Sequence, residues 1–337
     1  MLAKNVTIRE LAQAANVSIG TVSRALKGQP GLSAQTRADV LRVALELGYD
    51  LGKLRVNKLR RILFLYNRLI DSLATNEFYS VVLHGAETAC REAGVSLSIM
   101  SVAAGDDVAA QVRRHEAEGL VAVGFFENEA LAAMRGCDLP LVLTDHFHAD
   151  LRCINMDNVQ GALLATRHLL EGGARRPAMI AGPLSHNSVA LRTKGFRQAL
   201  FEAGRMADPE LEVWMDMTTP YHEAARDAMR RLLALPQRPD AVFAFNDATA
   251  LNAMAVCADA GVRVPEDIRF VGYDDIVSAM HSQPPLSTVR VDKDALGREA
   301  VTALIDGDVS ARNTLQPVEL IVRQSSRVAS AVVAERV

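Results

Sequence analysis

The chain has 337 residues, 49% of them hydrophobic and 23% charged, which is enough apolar material for at least one large core and suits two or three folding units. No window offers the roughly 18 uninterrupted apolar residues of a membrane helix. MLAKNVTIRELAQ shows no charged stretch leading into an apolar run, and Cys90, Cys137, Cys153 and Cys257 are scattered without a C-x-x-C pair, so a soluble, cytoplasmic protein without membrane contact, disulfide framework or zinc knuckle is expected. The net charge of −3 hides a division: residues 1–61 carry eleven Lys and Arg against four Asp and Glu, +7, which leaves −10 for the rest. A basic arm for a polyanion on an acidic body fits that split, and a solvated charged face explains Lys53 to Arg61 about as well.

In chain order, Thr7-Ile8-Arg9-Glu10 reads as a capping box that opens a helix at Ile8. Ile8, Leu11, Ala12 and Ala15 follow at helical spacing, and Asn16-Val17-Ser18 breaks the period and caps a second helix, Ile19 to Leu26. That helix is expected to bury Val22 and Leu26 and to leave Ile19, Gly20, Thr21, Ser23 and Arg24 available to a partner. Lys27 to Gly31 ends it. Ser33 caps a third helix, Ala34 to Leu47, with Val40, Ala44 and Leu47 as its apolar stripe, and Gly48 stops it. Two short helices joined by a tight turn, the second starting with small polar residues, suit entry into a DNA major groove.

These residues also carry a family likeness. VTIRELAQAANVSIGTVSRAL followed by LSAQTRADVLRVALELGY resembles the headpiece of the lactose-repressor (LacI/GalR) family from Thr7 to Tyr49. The resemblance implies that Ile19 and Gly20 lie where the family reads base edges and that Arg24 meets a guanine. It also implies that Thr7, Ser18, Thr21, Ser23, Ser33 and Thr36 position the helix on phosphates. Arg24 has its own chemical reason, since a guanidinium donates two bonds to guanine O6 and N7, although a surface salt bridge is its bland alternative. Ile19 and Gly20 offer no side-chain hydrogen bonds and can only meet a thymine methyl or allow close backbone approach.

The segment from Asp50 to Arg61 departs from the family pattern. It lacks the Pro-Asn pair of the hinge helix, is about four residues short, and places Lys58 where the wedging leucine is expected. Leu54 or Leu59 can still act as an apolar wedge in a minor groove, with Leu59 as the start of the first strand as the competing reading. Lys53, Arg55 and Lys58 keep the segment basic and suited to the DNA backbone.

From Ile62 onward, apolar runs (ILFLY, VSLSIM, LVAVGF, LPLVLTD, PAMIAG, DAVFAFND, DIRFVGYDD) alternate with helical stretches such as Phe78 to Ala93 and Val108 to Glu118. This rhythm indicates parallel sheets covered by helices, and about 270 residues of it suit two similar sheets. Ligands in such folds bind beyond the carboxyl ends of strands, where Asp145, Asn246, Asp247, Asp274 and Asp275 occur. Asp274 with Asp275, and Asn246 with Asp247, equally read as helix caps, and Arg192 as a structural ion pair.

MDNVQGALLATRHLLEGGARRPAMIAGP, RTKGF, AFNDATAL, GVRVPEDIRFVGYDD and QPPLSTVRVD extend the resemblance to the family's effector domain. The implied fold is α/β: a three-helix helix-turn-helix headpiece (1–50), a basic linker (51–61) and a two-subdomain, periplasmic-binding-protein-like effector and dimerisation domain (62–337). Asp145, Arg192, Asn246 and Asp274 align with positions that hold ligand hydroxyls, Phe78 lines the cleft from the other subdomain, and Tyr221, ahead of Trp214, is the candidate aromatic platform. Carboxylate, guanidinium and amide groups around one cleft suit a polyhydroxylated ligand. Val291 and Lys293 depart from relatives, and a lysine near the cleft would favour a carboxylate or phosphate on the ligand.

The implied function is a homodimeric repressor of carbohydrate-utilisation genes on a pseudo-palindromic operator, released by a sugar. A purine or other non-sugar corepressor that tightens DNA binding is the alternative. The residues after Ser326 carry no leucine heptads, so a dimer is expected rather than a tetramer. An enzyme is not expected: G-x-S-x-G, the P-loop and G-x-G-x-x-G are all missing. A transport-type binding protein would share the body but not the DNA reader. The run Asp145 to Asp150 reads as a polar surface loop rather than a metal site, and no cofactor is expected.

Overall fold

The structure is a computed structural model that describes residues 6–26, 31–49, 59–68, 76–103 and 105–327. It divides into two compact units, Met1–Leu59 and Arg60–Val337.

The first unit holds three helices, α1 (Ile8–Ala14), α2 (Ile19–Leu26) and α3 (Ala34–Glu46). The capping box forms as the spacing suggests: the Thr7 amide donates to Glu10 Oε2 at 2.7 Å and the Glu10 amide to Thr7 Oγ1 at 3.3 Å. Asn16, at φ 50°, turns the chain in the left-handed region that Asn tolerates. Leu11, Ala12, Val22, Ala25, Val40 and Ala44 form the core. Two expectations shift here. Ala25 is the second fully buried residue of α2 and Leu26 only flanks the core. Leu47 is 42% exposed, because α3 ends at Glu46 and Leu47, as its C-cap, has left the buried face, where Val43 packs instead.

The second unit contains two six-stranded sheets. The first, in order β11-β5-β4-β3-β1-β2, comprises β1 (Arg61–Asn67), β2 (Ser96–Val102), β3 (Gly119–Val123), β4 (Leu141–Thr144), β5 (Arg152–Met156) and β11 (Arg312–Gln316). All its strand pairs are parallel. The second, in order β12-β10-β9-β8-β6-β7, comprises β6 (Pro177–Ala181), β7 (Glu212–Trp214), β8 (Ala241–Ala244), β9 (Arg269–Asp274), β10 (Ser287–Arg290) and β12 (Glu319–Ile321). Only β12 runs antiparallel to its neighbour. β3, β6 and β8 are buried along their whole length and read as unbroken apolar runs rather than alternating ones; β5 is equally buried but carries Arg152 and Asn155. The chain passes between the sheets three times, after β5, after β10 and after β11.

Helices cover the sheets: α4 (Glu77–Ala93), α5 (Val108–Arg114), α6 (Asn128–Arg135), α7 (Asn158–Glu171), α8 (Asn187–Glu202), α9 (Tyr221–Leu233), α10 (Asp247–Asp259), the short α11 (Val277–His281) and α12 (Lys293–Asp306). α4 and α12 touch backbone to backbone through reciprocal glycines. A Cβ on Gly85 would stand 2.0 Å from the Asp294 carbonyl oxygen, and one on Gly297 would stand 1.9 Å from that of Val82. Among the described residues no helix is long and apolar enough to cross a membrane.

Candidate nucleic-acid interface and ligand cleft

In the first unit, α2 presents Ser18, Ile19, Gly20 and Arg24 to solvent, with Thr21 and Ser23 half-buried. Ser18 Oγ accepts the Thr21 amide at 3.0 Å and shares a 2.8 Å hydroxyl bond with Thr21 Oγ1. Ser33 and Thr36 repeat the arrangement at the start of α3, at 3.0 and 2.7 Å. Each pair therefore keeps one hydroxyl proton for an outside acceptor. The Thr7 hydroxyl already donates to Glu10 Oε2 at 2.9 Å, so it has no proton left for a phosphate in this arrangement. Ile19 is 47% exposed, and a Cβ on Gly20 would meet nothing nearer than Ser18 Oγ at 3.8 Å. Among the described residues nothing requires a glycine there. Arg24 Nε bonds back to the Gly20 carbonyl at 3.3 Å, which aims the guanidinium along the same face. Leu54 and Arg55, the linker candidates, lie outside the described residues.

In the second unit a cavity of about 620 Å³ opens at the carboxyl ends of both sheets. Asp145 follows β4, Asn246 follows β8, Asp274 ends β9, and Arg192 comes from the second turn of α8. The sequence had nominated all four, and they line this single cavity together with Phe78 and Tyr221. Trp214 is not among its lining residues. Asp145 lies at φ 54°, in the left-handed region that Asp tolerates, and Asp274 at φ 111°, beyond it.

Arg192 is the hub. Its Nε donates to Asn158 Oδ1 at 2.8 Å and its Nη1 to the Phe245 carbonyl at 2.5 Å, while Nη2 lies 3.5 Å from Asp274 Oδ1. The guanidinium stacks 3.6 Å over the Tyr273 ring. The ion-pair and ligand readings of Arg192 therefore coexist. Asn246 is likewise both a cap and a cleft residue: its Oδ1 accepts the Thr249 amide at 2.9 Å and the Tyr221 hydroxyl at 2.8 Å. Tyr221 stands as the first residue of α9, held by that bond and by Thr249 Oγ1 at 2.7 Å.

Burial pushes the Asp274 carboxyl up to about 7, against the pull of Arg192 and Lys293. Burial raises Asp145 as well, opposed by Arg192, Tyr79 and Ser188. Asp145 Oδ1 is buried without a hydrogen bond, and a ligand donor would satisfy it. The other strand-end acids turn inward. Asp247 accepts the Ile276 amide at 3.0 Å and the Thr288 hydroxyl at 2.5 Å, and Asp275 is held by Arg290 at 2.7 Å and Arg323 at 2.5 Å. Neither Asp274 nor Asp275 caps α11, whose N-cap is Ile276.

Lys293 does not serve as a cleft cation. Its Nζ donates to the main-chain carbonyls of Asp274, Asp275 (3.0 Å) and Val291 (3.5 Å) and so clamps the end of β9 from behind. Three further features were not read from the sequence. The Tyr79 hydroxyl donates to Asp145 Oδ2 at 2.9 Å, in space that Gly124 leaves open, since a Cβ there would lie 2.7 Å from that hydroxyl. Glu77 reaches across the cleft mouth, accepting the Ser278 amide at 3.0 Å and its hydroxyl. Phe125 stacks on His186 at 4.4 Å. His146, in the run that resembles a metal site, is instead a buried ring against Phe125 and Phe126, pushed down to about 4 by burial. Among the described residues no three His, Cys, Asp or Glu side chains group as metal ligands.

A three-helix reader and a separate two-sheet unit with a polar cleft at its strand ends define a ligand-responsive, DNA-binding regulator. Residues 7–50 match the bacterial regulatory proteins of the lacI family, and residues 166–326 match the periplasmic binding protein-like domain. The HTH-type transcriptional repressor CytR of Escherichia coli (strain K12) is 31% identical over 95% of this chain and 96% of its own length. The ribose operon repressor of the same strain is 32% identical over 89% and 92%. Among solved structures, a transcriptional regulator CelR-cellobiose complex superimposes with a TM-score of 0.73 at 29% identity, over 95% of this chain and all of that one. The Lac repressor dimer bound to operator and the anti-inducer ONPF gives a TM-score of 0.70 at 26% identity, over 96% and 100%. The chain belongs to the LacI family of transcription regulators.

Proposed function

We propose that this regulator is a cytoplasmic homodimeric repressor without enzymatic activity, which leaves its operator when a sugar fills the cleft. The carrying observation is the convergence of Asp145, Arg192, Asn246 and Asp274, with Phe78 and Tyr221, on one cavity. Acceptors and donors in that number match vicinal hydroxyls, and the aromatic rings suit the apolar faces of a sugar. Relatives support the reading: one is named for the ribose operon and another is solved with cellobiose. In this reading residues 1–50 bind DNA, 51–61 form the joint, and 62–337 bind effector and dimerise. Ile19, Gly20 and Arg24 meet base edges, and Ser18, Thr21, Ser23, Ser33 and Thr36 meet phosphates, with Thr7 in a capping role. A dimer fits because two half-sites read together gain effective concentration over one.

The test begins with selection from random duplexes by the full-length protein, which should enrich a pseudo-palindrome. Sugars, sugar phosphates and nucleobases are then screened for release of that duplex. Arg24→Ala should weaken binding by about 1–3 kcal/mol and relax preference at a single base step. Release by a sugar that Asp145→Ala abolishes supports the proposal. Hits confined to nucleobases that tighten the complex would overturn it.

A further inference from the structure

We infer that the cleft takes an effector without an anionic group, one that is neutral or carries an amine and presents N–H or O–H donors to Asp145 and Asp274; this rests on the effector reading of the cleft. The lining supplies three carboxylates, Glu77, Asp145 and Asp274, against one permanent cation, Arg192. That guanidinium is already held by Asn158, the Phe245 carbonyl and Asp274. Among the described residues, the only other basic side chains lining the cleft are two histidines, His186 and His222. Burial holds His186 toward its neutral form, and His222 sits at the exposed rim, 3.9 Å from Glu223. Lys293, a cation of the kind that draws a phosphate, is committed to main-chain carbonyls.

Helix N-termini are the other seats for anions, and three of those at the cleft already have acceptors. Asn76 Oδ1 accepts the Phe78 and Tyr79 amides of α4, at 3.1 and 3.0 Å. Asn246 caps α10, and Glu77 takes the Ser278 amide of α11. The N-termini of α8 and α9 carry no side-chain cap, but a carboxylate stands at each, Asp145 beside the Ser188 side chain in the first turn of α8 and Glu223 in the first turn of α9, so an anion there meets like charge. A phosphate or carboxylate would enter beside carboxylates and meet only Arg192, a cation already paired with Asp274, whereas a hydroxyl or ammonium finds Asp145 Oδ1 buried and unpartnered.

The experiment uses matched sets in which one group changes: glucose, glucosamine, glucose 6-phosphate and gluconate; ribose and ribose 5-phosphate; cellobiose and its phosphate ester; cytidine and cytidine monophosphate. Binding to the full-length protein is followed by thermal shift and then titration calorimetry. Every hit is expected to be uncharged or amine-bearing, with the anionic member of its set at least tenfold weaker. Asp274→Asn should narrow that gap while weakening the neutral member. An anionic member that binds as well as its neutral partner overturns the inference but leaves the sugar reading standing. Failure of every compound would remove the sugar reading itself, and this inference with it.

Discussion

Gly20 occupies the first turn of α2, where a Cβ would meet only Ser18 Oγ at an ordinary contact distance of 3.8 Å. Glycine inside a helix costs about 0.5–1 kcal/mol relative to alanine. Gly20→Ala should therefore raise the headpiece unfolding free energy by roughly that amount. It should also weaken operator binding by roughly tenfold, on the order of 1.4 kcal/mol. Chemical denaturation and DNA titration read the two effects separately, and a variant that is more stable yet binds as before would show that nothing approaches that face closely. Asp274 shows the same opposition between stability and function. Its carboxyl titrates at about 7 in the fold against about 3.9 in an unfolded chain, so between these values the folded state holds the extra proton. Stability then falls as pH rises from about 4 to 7 and is level above. Asp274→Asn should flatten that slope and give a higher thermal midpoint relative to the parent at pH 8 than at pH 5, with the effector response lost. A pH-independent difference would contradict this account. Asp145, Arg192, Asn246 and Asp274 were legible in the sequence because polar residues stand out at the ends of buried apolar strands. Lys293 was not, since a sequence does not say which carbonyls lie opposite an amine.

Among the elements, the pair α4 and α12 depends most plainly on side-chain absence. Each helix gives way with a glycine where the other's carbonyl approaches, Gly85 at Asp294 and Gly297 at Val82. Gly297→Ala must push the helices apart and should destabilise the body by about 1–3 kcal/mol, seen as a lower thermal midpoint of the second unit. An unchanged midpoint would mean that the helices slide without loss. β1 to β4, β6, β8 and β9 were readable as apolar runs, because strands buried on both faces need few polar residues along them; β5, with Arg152 and Asn155 buried in it, and β7, β10, β11 and β12 gave no such run. Contacts across the mouth were not readable. Glu77 and Ser278 stand 201 positions apart, and no local pattern marks either; Tyr79 follows Phe78 directly, yet only the packing of Gly124 reveals its bond to Asp145.

At the scale of the whole molecule, the charge division remains the sequence property with the widest reach. Residues 1–61 carry +7 on a body of −10, so DNA binding should be steeply salt-dependent. Replacing Lys53, Arg55 and Lys58 together by alanine should lower the slope of log K against log salt by about 0.9 for each phosphate contact removed. A slope identical to that of the parent would mean that the basic joint stays clear of the DNA. The shortened joint is also where sequence reasoning ran out: without the usual Pro-Asn pair, neither Leu54 nor Leu59 is singled out as a wedge by its neighbours.

The three passages of the chain between the sheets set an order of completion during synthesis. The three-helix unit has all its core residues once Tyr49 has been made, whereas the first sheet waits for β11, Arg312–Gln316, to pair with β5. At about 5–20 residues per second, a nascent chain spends on the order of tens of seconds with a finished reader and an open sensor. Because neither lobe is a continuous stretch of sequence, a stop codon anywhere between those points leaves both sheets short of a strand, the first of β11 and the second of β12. It leaves a reader whose core is complete joined to a sensor whose sheets are not.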